Sequence, residues 1–328
     1  RGIFLRICFN LRNFLARPRK LSECPRCGGL GGPKSFTCAD ALHGQQSTGC
    51  YGYNGKAVSK KTAYLGKVRG VLSSTIAGFI SMHQLTELAT RQLSDYKNNT
   101  PGTWFAEPVF NMNINLAYEL QDTVTQLRLN EGDSIAGYKI GCIGKDVKEQ
   151  FGMNGPIRGT LFSSEMFSNN AVLSAGAYCN LAIEAEMAFV IDAYFQIKRV
   201  FPVIELHNFI FRAPQKNLPE LIGNNGINCG VVVPVQKQHR SIEDLDQLVD
   251  LSLQINDSRY STNQLWPIDS NPLGSLGWLQ KNLSSYNKKL EAGQLILAGT
   301  TLGLYTVRAG DQINVDLNGE TILSCLIQ

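Results

Sequence analysis

No stretch of this chain stays apolar for the roughly 18 residues that a membrane span requires. The nearest candidate, Gly70 to Met82, is shorter and carries Ser73, Ser74 and Thr75. Lys67 and Arg69 precede it, which leaves a signal-peptide core as an alternative reading of that run. A G-x-G-x-x-G nucleotide fingerprint is missing, as is any internal repeat. Histidines are scarce, four in 328 residues, so catalysis built on several imidazoles is disfavoured. The nine cysteines do not make a secreted disulfide framework: five fall in the first 50 residues, and Cys142, Cys179, Cys229 and Cys325 are scattered singly among apolar neighbours. That usage points to a reduced, cytoplasmic setting.

Acids are nearly absent from the start of the chain. Residues 1 to 86 hold 13 Lys and Arg against Glu23 and Asp40, a balance of +11, while the remainder, 18 basic against 25 acidic, is −7. The first Met is Met82, immediately before the first clear helix pattern. The expected organisation is therefore a basic extension over 1–81 and a catalytic domain over 82–328. That domain divides into a helical part, 82–134, and a β-rich core, 135–328. Within the extension Cys24 and Cys27 form a C-x2-C pair followed by Cys38, His43 and Cys50, one possible zinc set, but a second tight pair is lacking. Its basic residues lack the aromatic interleaving of a nucleic-acid surface, so neither nucleic acid nor a membrane is expected as a partner.

From His83 onward the apolar spacing turns helical at Leu85, Leu88, Ala89 and Leu93, then stops at the breakers Asn98 to Gly102. A second amphipathic helix covers Ile114 to Leu129. Strands are predicted over 135–143, 171–173, 181–191, 200–206 and 228–235, with a helical turn at 218–222 before a Gly/Asn-rich loop. After a strand over 249–255, a helix is predicted from Leu273 to Leu283. Strands at 294–298, 312–317 and 321–326 close the chain, the last two joined by the hairpin signal Asn318-Gly319. This is an α+β pattern, a mixed sheet with peripheral helices.

The sharpest chemical signal is Ile183-Glu-Ala-Glu-Met-Ala-Phe-Val-Ile191. Strand residues two apart share a face, so Glu184 and Glu186 project together. Two such carboxylates in apolar surroundings need a cation or a proton, unless the strand is a solvated edge. Glu205, the lone acid in Pro202-Val-Ile-Glu-Leu206, lies beyond a plausible hairpin. Three carboxylates suit Mg²⁺ or Mn²⁺, hard ions that prefer oxygen. Lys139, in Gly137-Tyr-Lys-Ile-Gly141, is set to be partly buried, and burial lowers a lysine pKa; a lysine reaching to the surface is the alternative. Three carboxylates and one divalent ion leave −1, and an anionic substrate makes −2, an excess that a nearby lysine relieves. His207 reads as structural or as a neighbour of the ligands rather than a ligand. Asn224 and Asn225 are candidates for a pocket wall or a loop turn.

These segments, followed by Asn271-Pro-Leu273, Gly277-Trp-Leu279 and Leu290 to Thr300, occur in an order similar to the 2-keto-4-pentenoate hydratase and 4-oxalocrotonate decarboxylase branch of the fumarylacetoacetate hydrolase superfamily. The resemblance runs from about Leu85 to Cys325. It implies a mixed β-roll, barrel-like fold of the fumarylacetoacetate hydrolase type. It also implies Mg²⁺ or Mn²⁺ held by Glu184, Glu186 and Glu205, and a small 2-oxo acid chelated through carboxylate and keto oxygens. Lys139 matches the family's active-site lysine. The implied activity is hydration or decarboxylation of an unsaturated 2-oxo acid such as 2-hydroxypenta-2,4-dienoate, by a homo-oligomer or beside a paralogous subunit. Alternatives are a carbon–carbon hydrolase of acylpyruvates, which would need a His-Glu pair, or a non-catalytic metabolite-binding relative. One departure stands out. Where the family often carries acids, this chain reads Gly155-Pro-Ile-Arg-Gly-Thr-Leu-Phe-Ser-Ser-Glu-Met166, with Arg158 in the region of the first acid and Glu165 as the stand-in for the second catalytic one.

Overall fold

The computed structural model describes residues 81–107, 112–144 and 154–328. The expected basic extension, apart from Ser81, lies outside the described residues, and so does the candidate zinc set. Two helices come first, α1 (Met82–Lys97) and α2 (Ile114–Asn130), then β1 (Ile135–Gly141), β2 (Ile157–Phe162), β3 (Met166–Ser168), β4 (Ala171–Leu173), β5 (Leu181–Ile191) and β6 (Ile197–Asn208). The short helix α3 (Leu218–Gly223) precedes β7 (Asn228–Val233), β8 (Arg240–Ser241), β9 (Leu251–Ile255) and β10 (Ser258–Thr262). Helix α4 (Pro272–Ser285) is followed by β11 (Leu295–Leu297), β12 (Tyr305–Thr306), β13 (Gln312–Leu317) and β14 (Glu320–Ile327).

The helix boundaries follow from local chemistry. Ser81 accepts from the Gln84 backbone while the Gln84 side chain accepts from the Ser81 backbone, a reciprocal capping box that starts α1. Asn113 caps α2, and Asn271 caps α4 with Pro272 in its first turn, where a missing N–H costs nothing. Asn318 and Gly319 both take positive φ, 54° and 80°, as the tight turn joining β13 to β14 demands.

The strands form two sheets. One runs β2-β1-β11-β5-β6-β7-β3, with β12 also on β5 and β8 on β6; the other runs β10-β9-β13-β14-β4. Side chains alternate across the first sheet, and both faces are buried. Ile183, Ala185, Met187, Phe189 and Ile191 of β5, with Ile204 and Leu206 of β6, join Leu253, Val315 and Leu323 of the second sheet in the main core. The opposite face carries Leu161, Ala188, Phe201, Val203, Val231, Leu295 and Leu297, an apolar floor beside which the remaining inward positions are polar. The first sheet curls into a half-barrel. At its β2 edge Asn225 replaces a strand partner: its Oδ1 accepts from the Thr160 N–H at 2.6 Å and its Nδ2 donates to the Thr160 carbonyl at 2.8 Å.

Five strands escape the sequence reading altogether: β2, β3, β8, β10 and β12. In β2 the pattern is masked by Arg158, which is buried on the face opposite Lys139. Its guanidinium bonds both oxygens of Asp122 at 2.9 Å, Gln121 at 2.7 Å and Asn282 at 3.0 Å, and lies over the Tyr118 ring. Arg158 therefore clamps α2 and α4 to the sheet and does not stand in for a catalytic acid.

Candidate metal centre

The hairpin of β5 and β6 assembles the site. Its turn is held by Asp192, whose carboxylate accepts from the Tyr194 and Gln196 backbone N–H groups at 2.8 and 2.9 Å. The resulting register sets Glu184 directly opposite Glu205, and Ala182 opposite His207. Glu186 and His207, two residues along their strands, fall on the same face by the pleat. The third contribution comes from β1: Lys139 pairs with Leu297, which pairs with Ala188, so the lysine also projects to the carboxylate side. Close glycines leave room for its stem, because a Cβ on Gly226, at φ 62°, would sit 2.9 Å from Lys139 Cε.

Most of these groups are buried, Glu184 being the partly exposed one. Lys139 is 3% exposed, while Glu186 and Glu205 are 0%, so β5 is not a solvated edge. Lys139 Nζ lies 3.1 Å from Glu205 Oε1, and Asn228 Nδ2 donates to the same oxygen at 2.9 Å. His207 Nε2 stands 3.3 Å from Glu184 Oε2 and 3.6 Å from Glu205 Oε2. Glu186 accepts one bond, from the Gly299 N–H. Its other oxygen, Glu205 Oε2 and both ring nitrogens of His207 are buried without a hydrogen-bond partner. Each such orphan costs about 1–3 kcal/mol or more unless something absent from the protein atoms satisfies it.

The electrostatics say the same. Burial pushes the Glu186 carboxyl up, and the neighbouring Glu205 and Glu184 charges push it further, so it holds a proton well above the usual range. Burial also opposes ionisation of Glu205, but the charges of His207 and Lys139 and the hydrogen bond from Asn228 outweigh it and hold that carboxyl at about 2. For Lys139 the expected direction is reversed. Burial lowers its pKa, yet the charges of Glu205, Glu184 and Glu186 overcome that and raise it.

Glu184, Glu205 and His207 can bring one ligand atom each to within 4.8 Å of one another. The expected set is Glu184, Glu186 and Glu205; the structure puts His207, two residues beyond Glu205 on β6, beside Glu184 and Glu205. Glu165 bonds to other partners. Its Oε1 accepts from Tyr96 Oη at 2.7 Å and pairs with Arg128 Nη1 at 3.0 Å, so its described hydrogen bonds do not go to Lys139 or to the three carboxylates. Asn224 and Asn225 do line a cavity, beside α1 and α2.

No protein-family model matches the chain. Over 233 residues it is 26% identical to 2-oxo-hept-4-ene-1,7-dioate hydratase of Escherichia coli, covering 64% of this chain and 85% of that one. It is 27% identical over 224 residues to 2-keto-4-pentenoate hydratase of Paraburkholderia xenovorans strain LB400, covering 63% and 81% respectively. Among solved structures, 4-oxalocrotonate decarboxylase from Pseudomonas putida G7, complexed with magnesium and adipate, matches with a TM-score of 0.69 at 20% identity. That match covers 76% of this chain and 99% of that one. The fold is thus the mixed, curled-sheet fold of the fumarylacetoacetate hydrolase type. Within it the chain is similar to the hydratase and decarboxylase branch that its motifs resemble.

Proposed function

We propose that the chain is a divalent-metal lyase acting on a small unsaturated 2-oxo acid, with Glu184, Glu186 and Glu205 holding Mg²⁺ or Mn²⁺ and His207 beside them. The observation that carries this reading is the largely buried face of the β5–β6 hairpin, where carboxylate oxygens of Glu186 and Glu205 are orphaned beside Glu184. The donor set fits a hard ion. When bound, such an ion supplies Lewis acidity toward a keto oxygen. Relatives named as hydratases and a decarboxylase, one of them solved with magnesium, support the assignment.

The chain's own residues then divide the work. Lys139, buried and paired with Glu205, is the cation that offsets the charge of an anionic substrate, and its Nζ is placed to hold or move a proton there. Asn228 holds Glu205 in place through its 2.9 Å bond. The apolar floor of Leu161, Phe201, Val231 and Leu297 shares the sheet face of the carboxylates and offers an apolar wall to a substrate chain.

One observation favours a second reading, carbon–carbon hydrolysis of an acylpyruvate: His207 Nε2 lies 3.3 Å from Glu184, a His-Glu pair of the kind that can activate water. The test is turnover of 2-hydroxypenta-2,4-dienoate, 4-oxalocrotonate and acetylpyruvate with Mg²⁺ or Mn²⁺, beside titration of each metal into the chelated protein and into Glu186→Gln. Metal binding that Glu186→Gln weakens, with turnover of either dienoate, supports the lyase. Turnover of acetylpyruvate alone selects the hydrolase. A folded protein that binds neither metal sinks both.

A further inference from the structure

Glu205 divides its two oxygens between two kinds of neighbour. Its Oε1 takes Lys139 Nζ at 3.1 Å and Asn228 Nδ2 at 2.9 Å. Its Oε2 has no hydrogen-bond partner and stands 3.6 Å from His207 Nε2, and the same nitrogen is 3.3 Å from Glu184 Oε2. Among the described residues, Glu184, Glu205 and His207 are the His, Cys, Asp or Glu side chains that bring one ligand atom each within 4.8 Å of one another, and Glu186 is outside that set. The strands dictate the arrangement. His207 follows Glu205 by two on β6 and faces Ala182 across the hairpin. A side chain as small as Ala182 leaves the imidazole free to reach Glu184, two residues further along β5.

A hydrogen-bonded pair with Glu184 does not account for this histidine. At 3.3 Å a donating Nε2 is near enough, yet neither ring nitrogen of His207 meets hydrogen-bond geometry with any partner, and the residue is 1% exposed. Nothing on Nδ1 fixes the tautomer, so the proton can reside there and leave the Nε2 lone pair unshared. The spacing suits an ion instead. Two ligands about 2.1 Å from one metal and roughly 90–110° apart stand about 3.0–3.4 Å from each other. The separations of 3.3 and 3.6 Å from Nε2 to the two carboxylates are close to that range, so a bare ion fits among the three atoms where a water does not. Glu184, the partly exposed member, marks the side from which solvent or substrate reaches the ion.

We infer that His207 Nε2 is a metal ligand beside Glu184 and Glu205, and that this nitrogen makes the centre prefer a first-row transition ion over Mg²⁺. The inference rests on the metal reading of the site and narrows it. Imidazole suits transition ions, whereas Mg²⁺ favours oxygen ligands throughout and dehydrates reluctantly. A coordinated Nε2 also has no lone pair left to take a proton from water. The same assignment therefore removes the His207–Glu184 pair as a route to acylpyruvate hydrolysis.

The test uses full-length protein, stripped with chelator and titrated separately with Mg²⁺, Mn²⁺ and Co²⁺, together with the electron spin echo of its Mn²⁺-loaded form. The expected echo carries nitrogen modulation from an imidazole. It should change to the ¹⁵N pattern when histidine alone is ¹⁵N-labelled, and vanish in His207→Gln. Labelling reads the ligand without any substitution, so the test holds even where the variant does not fold. In the titrations Co²⁺ should bind about a hundredfold or more tightly than Mg²⁺, and His207→Gln should cut that ratio by about tenfold or more, the scale on which histidine environments tune metal affinity. Bound Mn²⁺ whose echo lacks histidine nitrogen, or keeps it in folded His207→Gln, overturns the ligand assignment and spares the metal centre. A ratio that the variant leaves unchanged likewise overturns it. Binding of none of the three ions overturns the metal reading and this inference with it.

Discussion

Lys139 concentrates the chemistry of the site in one side chain, and its environment makes two measurable statements. Replacing it with Met removes the buried partner of Glu205, 3.1 Å away, so the metal-free protein should lose about 3 kcal/mol of stability, at the low end for a broken buried pair. Turnover should fall by roughly 10²–10⁴-fold if the amine moves a proton. Denaturant unfolding in chelator and a steady-state assay check the two separately; stability lost with activity kept would make the lysine structural. The same charge acts on Cys142. Burial pushes that thiol up and Lys139 draws it part of the way back, leaving it at about 11. Below its pKa a thiol is protonated and inert. Alkylation of Cys142 at pH 7.5, followed by peptide mass mapping, should therefore run about 100-fold slower than for an ordinary thiol and rise about tenfold per pH unit toward pH 11. In Lys139→Met it should be slower still. Spacing alone left a buried Lys139 open against a surface one and did not give the direction of its pKa, because that direction depends on how near the acids of two other strands come, and register is a tertiary fact.

At the level of elements, the β5–β6 hairpin is the part of the fold most readable in advance. The alternation in Leu181 to Ile191 gives a strand with those bounds, and the positions of Glu184 and Glu186 within it fix their common face. What the pattern could not give is that both faces of the strand are buried, since burial of the second face needs the curled sheet and the helices against it. β2 was missed for a related reason: a fully buried arginine looks like a surface residue until its partners on α2 and α4 are known. That clamp is testable. Asp122→Asn would leave the Arg158 guanidinium, which is fully buried, with neutral partners only. It should cost about 3 kcal/mol, since the far partner is partly solvated and Lys288 Nζ, 3.6 Å from Asp122, would be relieved of its own pairing. The midpoint of urea unfolding should drop with its slope unchanged. A loss under about 0.5 kcal/mol would show that the helices are held by apolar packing alone.

For the molecule as a whole, the open matter is where the catalytic unit begins. We propose that residues 82–328 form it and that 1–81 are dispensable for metal and substrate binding, with one adjustment drawn from α1. Ser81 accepts from the Gln84 N–H and completes the capping box, so a chain cut at Met82 loses its N-cap. That loss is worth about 1 kcal/mol, or roughly 2–4 °C in Tm for a domain of this size. A chain retaining Ser81 should match full-length protein in its response to Mg²⁺, both gaining about 2.7 kcal/mol at a hundred times the dissociation constant. The chain cut after Ser81 should gain the same increment from a lower starting point, because the cap and the metal centre lie on different elements and share no partner. Thermal unfolding of the three proteins with chelator and with Mg²⁺ resolves these terms. If the shortened chains fold but lose the Mg²⁺ increment, the basic segment belongs to the site. If they lose only the cap's contribution, the boundary falls between Ile80 and Ser81, one residue ahead of the first Met.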